Sequence, residues 1–500
     1  MSGPSLPHRT SSGPVRFLKN LFTIVREGIP LRRIRINAPK YDTDLLEGPL
    51  FIKIVRFVIP LILTNLLQMC YSAADMIIVG LSGVEGAIGS IGTTNAMINL
   101  ILNTFMGFAL GTTVVVARNI GRNDKTATEN AVHTSLMVAV ISGAVCAVLG
   151  LSVSRPVLSL LGDQGHILDL ATLYTKVYFL CAPFLAATNF LIAVFRAKGD
   201  TKTPLFVLSA SGMFNVIMNL FFVLVMHMSV DGVALATGLS NALSAALLAY
   251  MLHTDEGWCS LDLRKLKIDC TSLKEIIRDG LPAAFQGAFF SLSNMLIQSS
   301  IISINNSLCP GGSAVIDGNA AAASIEGFPY TATNSVCHAS VTFTSQHYGA
   351  KKYKRIGKVM QNCYLVTALI ALIGIGIILP FRRQLIGLYV SDSLAVHTAE
   401  TRMFFMMIPY VLLAWMEVGS GIVRGLAKPV ASTAVTLTGS CILRALWVAF
   451  IFPAFRTLPS IYLSYPVSWG LTALIHLIVA ETVRRRLIRS EESEITANPV

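Results

Sequence analysis

The chain has 500 residues, of which 53% are hydrophobic and only 13% charged, whereas soluble globular proteins carry about 25% charged residues. That balance excludes a soluble protein and marks an integral membrane protein. The formal net charge of +12 would point to nucleic acid only if the basic residues formed a patch away from the apolar segments. They sit mostly in short stretches between those segments, so no nucleic-acid partner is expected.

Taken in chain order, the first fifty residues form a basic arm with no apolar stretch of signal-peptide type, so no removed leader is expected. Within the arm, VRFLKNLFTIVR (15–26) places Phe17, Leu18, Leu21, Phe22 and Val25 on one helical face. That segment is read either as an amphipathic helix lying on the membrane surface or as a solvated tether.

Twelve apolar segments of about 20 residues or more follow: 52–79, 91–117, 131–153, 167–194, 205–226, 231–252, 276–305, 315–345, 358–380, 395–422, 430–454 and 463–486. The expected fold is therefore an all-α integral membrane protein with twelve transmembrane helices. If the N-terminus is cytoplasmic, one side receives about 30 of the 39 basic residues, a steep positive-inside bias that places both termini in the cytoplasm. The opposite loops hold Arg155, Arg382, Arg383 and Arg456.

The segments also repeat. ARNIGRNDKTATENAVHTS (117–135) matches SQHYGAKKYKRIGKVMQNC (345–363) in pattern, Gly121 falling over Gly349. Lys176 precedes Pro183 as Arg402 precedes Pro409, Arg155 falls over Arg382, and Arg196 over Arg424. Six helices per half is an even number, so the halves enter the membrane from the same side, related by an axis along its normal. The expected organisation is an arm at 1–50, a first bundle at 51–253, a linker at 254–275, a second bundle at 276–486 and a tail at 487–500. A cleft between two such pseudo-symmetric six-helix bundles is where a ligand belongs.

Charged and amide side chains inside apolar segments are the candidates for that site, because a charge deep in a bilayer costs several kcal/mol unless it faces protein or water. In helix 1, Asn65, Gln68, Ser72 and Asp75 share one face. Asp75 lies roughly 28 Å along the helix from Arg56. Helix 2 has Asn95, Asn99 and Asn103, helix 5 has Ser211, Asn215 and Asn219, and helix 7 has Gln286, Asn294 and Gln298. Helix 8 carries Glu326, Tyr330, Asn334, His338 and Thr342 at every fourth position. These stripes predict either a shared wet cavity or amide contacts that join helix to helix. Arg444, inside CILRALWV, is expected to form an ion pair with Glu417 or Glu326, Glu417 being the partner assigned. Lys176 and Arg402 are read as interfacial anchors. The nine cysteines show no metal-ligand spacing and several (Cys70, Cys146, Cys181, Cys441) lie in apolar runs, so neither a metal nor a disulfide framework is expected.

The pattern IP...N......AADMIIVG, the GRNDKTATENAVHTS loop, its partner GAKKYKRIGK, and the FRAKGDTKTP and VRGLAKP connections together resemble the MATE (multidrug and toxic compound extrusion) transporters over roughly residues 50–486. NVIMNLFFV and SIEGFPYTATN are similar to a bacterial, clostridial-type branch. The resemblance implies two lobes in a V, alternating access, no enzyme activity, no cofactor, and export of small cationic molecules driven by inward H⁺ or Na⁺. It also implies a bacterial inner-membrane protein, expected to act as a monomer. The family's acidic residue in helix 1 corresponds to Asp75. Its helix-5 Asn and Asp correspond to Asn215 and Asn219, so one acid is replaced by an amide that cannot bind and release a proton. Ion coupling then rests on Asp75, or on Glu326 and Glu417 in the other half. The alternative reading is a flippase for lipid-linked oligosaccharide precursors of the same superfamily, for which Arg444 is the clearest cationic candidate. An intramembrane enzyme is disfavoured, since HExxH and GxSxG motifs are missing.

Overall fold

A computed structural model describes residues 45–497 except 81, 83, 85, 86, 161–164 and 256. The amphipathic segment expected at 15–26 lies outside the described residues. Those that are described form helices with short connections and no strand.

The first set of helices comprises α1 (Leu50–Gly80), α2 (Ala87–Gly121), α3 (Lys125–Leu160), α4 (Gly165–Leu180), α5 (Ala182–Ala197), α6 (Lys202–Leu220) and α7 (Val230–His253). The second comprises α8 (Cys270–Leu308), α9 (Ala314–Gly349), α10 (Tyr353–Ile378), the short α11 (Arg382–Gly387), α12 (Ser393–Met407), α13 (Tyr410–Gly425), α14 (Pro429–Thr436), α15 (Leu443–Leu446) and α16 (Leu458–Ala497). Nine of these rods, among the described residues, are long and apolar enough to cross a membrane, and the bent pairs α4–α5 and α12–α13 bring the number to eleven. The remaining long helix, α9, has 36 residues, covers the segment expected as the eighth span, and falls short of that apolar character. Its apolar character is diluted by the polar stripe that runs along it, which requires a protein or water-facing environment.

Duplication is written into the backbone. Both bent pairs turn by 51°, one just before Pro183 and the other at Pro409, where a proline withholds the amide that would continue the helix. A wide π-helical turn at Phe221–Val225 has its counterpart at Trp447–Ile451, with another at Leu437–Ile442. Asn123 (φ 61°) corresponds to Lys351 (φ 55°), and Gly199 (φ 91°) to Ala427 (φ 57°). Left-handed backbone is uncommon outside glycine, so its recurrence at matched loop positions in both halves argues for two copies of one bundle.

The two bundles meet at the face that carries the 122–124, 198–201, 254–269, 350–352 and 426–428 connections, called the near face here. There α2 and α9 end against each other. A methyl group on Gly121 would fall 2.1 Å from the Gln346 carbonyl oxygen, and one on Gly349 would fall 2.1 Å from that of Arg118. This reciprocal contact needs glycine on both chains because no β-carbon fits. Arg118 Nη2 donates to Glu275 Oε2 at 3.0 Å and to Asp279 Oδ2 at 3.2 Å, and Gln346 Nε2 donates to the Ala197 carbonyl at 2.8 Å. Further along, Asn65 Nδ2 donates to Ser335 Oγ at 3.2 Å and Thr331 Oγ1 meets Met69 Sδ at 3.5 Å. These two contacts tie α1 to α9 about midway along the two helices.

The linker closes onto the first bundle. Asp262 N donates to His133 Nε2 at 3.1 Å and Asp269 N to Thr134 Oγ1 at 3.0 Å. Asp269 then caps α8, its carboxylate accepting from Ser272 N at 2.8 Å, and that bond holds its carboxyl below the usual range.

Candidate functional site

Asp75 sits on α1 six residues past Met69, towards the far end of the helix. Its stripe is split. Asn65 reaches across to α9, Gln68 and Ser72 are exposed, and Asp75 is half-buried against its own bundle. Asn219 Nδ2 donates to Asp75 Oδ1 and also to Asn215 Oδ1 at 3.1 Å, while Asn215 Nδ2 donates to Thr237 Oγ1 at 3.4 Å. The chain of amides therefore runs from α7 through α6 to the carboxylate on α1. No cation lies within ion-pair distance of Asp75 among the described residues. Asn219 Oδ1 is buried and accepts no hydrogen bond. Carboxylate and amide oxygens are the ligand types that a small hard cation takes, and of the two only the carboxylate can also bind and release a proton.

The second bundle treats its acids differently. Glu326 on α9 is 7% exposed and takes a bidentate pair from Arg402 on α12, Nη2 to Oε2 at 2.8 Å and Nε to Oε1 at 3.1 Å. Arg402 Nη1 also donates to Asn319 Oδ1 at 2.7 Å, an oxygen shared with the Tyr462 hydroxyl at 3.3 Å. Asn319 Nδ2 in turn reaches Gln298 Oε1 at 3.3 Å. Here the polar groups satisfy one another, as a buried charge pair must if it is not to be destabilising.

Two expectations from the sequence are corrected by this arrangement. Arg444 does not pair with Glu417. It is 2% exposed, donates from Nε to Ser468 Oγ at 3.0 Å, and lies 4.3 Å from the Tyr465 ring centre. Arg402, expected at the interface as an anchor like the exposed Lys176, is instead the buried partner of Glu326. Glu417 is half-buried and forms no ion pair among the described residues.

The MatE family profile matches residues 60–221 and again 282–449. The chain belongs to the MatE family. It is a multi-pass membrane transporter and not an enzyme. A probable multidrug resistance protein, YoeA, of Bacillus subtilis (strain 168) is 23% identical over 84% of this chain and 91% of the relative. The multidrug export protein MepA of Staphylococcus aureus (strain NCTC 8325 / PS 47) is 21% identical over 88% and 96%. The solved structure of an outward-facing multidrug resistance MATE family transporter of the MOP superfamily aligns with a TM-score of 0.82 and 21% identity, covering 90% of this chain and 99% of that one.

In this MatE transporter the remaining candidates divide by exposure. Asn99, Asn294 and Tyr330 are exposed and Asn334 is half-buried, open to whatever occupies the space beside them. The Asn95 side chain lies outside the described residues. His338 is buried, and Gln286 is buried with Arg424 Nη2 donating to its Oε1 at 2.7 Å. Sequence reasoning missed Asn319, although it stands two turns before Glu326 on the same face of α9, and it missed Arg424, whose counterpart Arg196 had served only to mark the repeat. Thr237, a lone hydroxyl in an apolar helix, gave no signal.

Proposed function

We propose that this transporter exports small organic cations, including drugs, in exchange for inward H⁺ or Na⁺, with Asp75 as the group for which ion and passenger compete. The observation that carries this reading is a carboxylate inside a membrane bundle whose only hydrogen-bond partner among the described residues is a neutral amide. Such a group can exchange one cation for another, because no permanent counter-charge must first be displaced. The names of the bacterial relatives support drug efflux as the activity. The proposed lobes are 51–253 and 276–486, joined by 254–275, working as a single chain in a bacterial inner membrane. The asymmetry of basic residues supports a cytoplasmic near face. On that reading this state is closed to the cytoplasm and open outward, and alternating access requires the Gly121–Gly349 crossing and the Arg118 contacts to open. Gln68, Ser72, Asn99, Asn294, Tyr330 and Asn334 are proposed to line the passenger's path.

The test is efflux of a fluorescent cation from vesicles under separate H⁺ and Na⁺ gradients. Asp75→Asn is expected to reduce uphill transport to the level of empty vesicles under either gradient. Unchanged ion-driven efflux by that variant would remove Asp75 from the mechanism.

A further inference from the structure

Three arginines of the second bundle converge on one face of α8. Gln286, Phe290, Asn294 and Gln298 stand at every fourth position and so form one stripe along that helix. Arg424 donates to Gln286 at 2.7 Å, Arg444 lies 6.0 Å from the Phe290 ring centre, and Arg402 joins Gln298 through Asn319. The aromatic gap in the polar stripe is thus the place where Arg444 stands.

The three differ in what neutralises them. Arg402 has Glu326 at 2.8 Å. Arg424 donates to the neutral Gln286 at 2.7 Å and forms no ion pair among the described residues. Among the described residues Arg444 has no carboxylate within ion-pair distance and a single hydrogen bond, from Nε to Ser468, with no partner for its two terminal nitrogens. One flat side of the guanidinium is covered by Tyr465, which fixes the plane and leaves the fork of N–H donors free. An unpaired buried guanidinium is costly, and a planar fork of this kind fits a carboxylate bidentately. One turn along α8 from Phe290, Asn294 is exposed.

We propose that Arg444, held by Tyr465 and Ser468, is a subsite for the carboxylate of a zwitterionic passenger whose cationic end is taken by the first bundle. This rests on the export reading given above and extends it from cations to molecules carrying both charges. The two bundles then offer opposite polarity to one passenger, Asp75 from one side and Arg444 from the other. A small inorganic anion presents the same chemistry to the fork, and the experiment separates the two sources.

The probes are a matched pair of rhodamine dyes, one a cationic ester and the other its zwitterionic free acid, measured by efflux from vesicles and by fluorescence binding to purified full-length protein. Arg444→Gln is expected to weaken binding and efflux of the free acid at least tenfold while changing the ester less than about twofold, with Arg444→Lys intermediate, since a point charge lacks the fork. Equal losses for both dyes would show Arg444 to be a packing residue and overturn the proposal, as would no change for either. If Arg444→Gln binds the free acid as the native protein does but loses chloride binding, the occupant is an inorganic anion and the zwitterion proposal fails. Asp75→Asn serves as the separate arm: it is expected to weaken both dyes. If it weakens neither while Arg444→Gln still discriminates, the export reading built on Asp75 fails and the Arg444 subsite stands.

Discussion

The two bundles are copies in backbone and opposites in charge. In the first, one carboxylate, Asp75, is held by an amide chain through Asn219 and Asn215 to Thr237. In the second, Glu326 is gripped by both arms of Arg402, which is itself fixed by Asn319. Matched geometry with unmatched chemistry shows how a duplicated scaffold divides its labour. A carboxylate with a permanent cationic partner is part of the structure, whereas one with neutral partners is available for exchange. On this ground we propose Glu326, a coupling candidate by sequence, as a structural acid, which leaves Asp75 and the unpaired Glu417 as the coupling candidates.

The largest effect that would sharpen this contrast is on stability. Glu326→Gln leaves Arg402 buried without a counter-charge, and breaking a buried pair from one side costs about 3–5 kcal/mol. Thermal unfolding in detergent should show a large loss for Glu326→Gln and a much smaller one for Glu326→Met combined with Arg402→Met, since replacing both partners with apolar groups removes the uncompensated charge. Equal losses would mean that the pair is not what makes the site sensitive. A Glu326→Gln protein that unfolds normally but no longer responds to an ion gradient would break the comparison outright.

Next in size is the junction between the bundles. Arg118→Gln removes the charged donor shared by Glu275 and the fully buried Asp279, and hydrogen bonds to charged groups contribute about 1.5–3 kcal/mol each. On the proposed alternating access these bonds break when the near face opens, so the loss is expected as a shift in conformation as well as in stability. A thiol placed at Ser335, where the bundles still touch, should be labelled faster from the near face in Arg118→Gln than in the native protein. No change in labelling would detach these ion pairs from gating.

Much of this organisation was legible in the sequence, and what was not has a physical reason. Hydrophobic length gave the helices, and the recurring glycine and proline anchors gave the duplication, because both depend on local chemistry. Polar stripes gave the faces that look inward. Partner choice was not legible, since a stripe fixes the face of a helix but not which neighbour that face meets. Arg444 shows the cause. The pairing expected for Arg444 rested only on its need for a counter-charge, and the side chain is met instead by Ser468 and Tyr465. Arg402 failed differently: its place near a helix end suggested the membrane surface, and only the 51° bend at Pro409 carries it inward to Glu326.

A smaller effect belongs to the entry into the second bundle. Asp269→Ala should cost about 1 kcal/mol, the usual worth of an N-cap. The carboxyl is held below its usual range by the Ser272 amide, so its contribution is fully present above the unfolded value of about 3.9 and is lost as pH falls through the lower folded value. Native protein acidified through that window should lose the difference from Asp269→Ala. A gap between the two that persists under strong acid would show the cap bond to be unimportant.

The smallest expected effect on stability is the most informative. Asp75→Asn exchanges a half-buried carboxylate for an amide of the same shape beside Asn219, which can turn its own amide to offer oxygen or nitrogen to the new neighbour. No cation is left uncompensated, so the melting curve should move by less than about 0.5 kcal/mol, the range of substitutions that break no special feature. Set against the loss of ion-driven efflux expected for the same variant, that result separates a group kept for exchange from one kept for folding. A large destabilisation by Asp75→Asn would mean that the charge is answered by an unseen partner, and the two bundles would then differ in which cation grips the acid, no longer in whether one does.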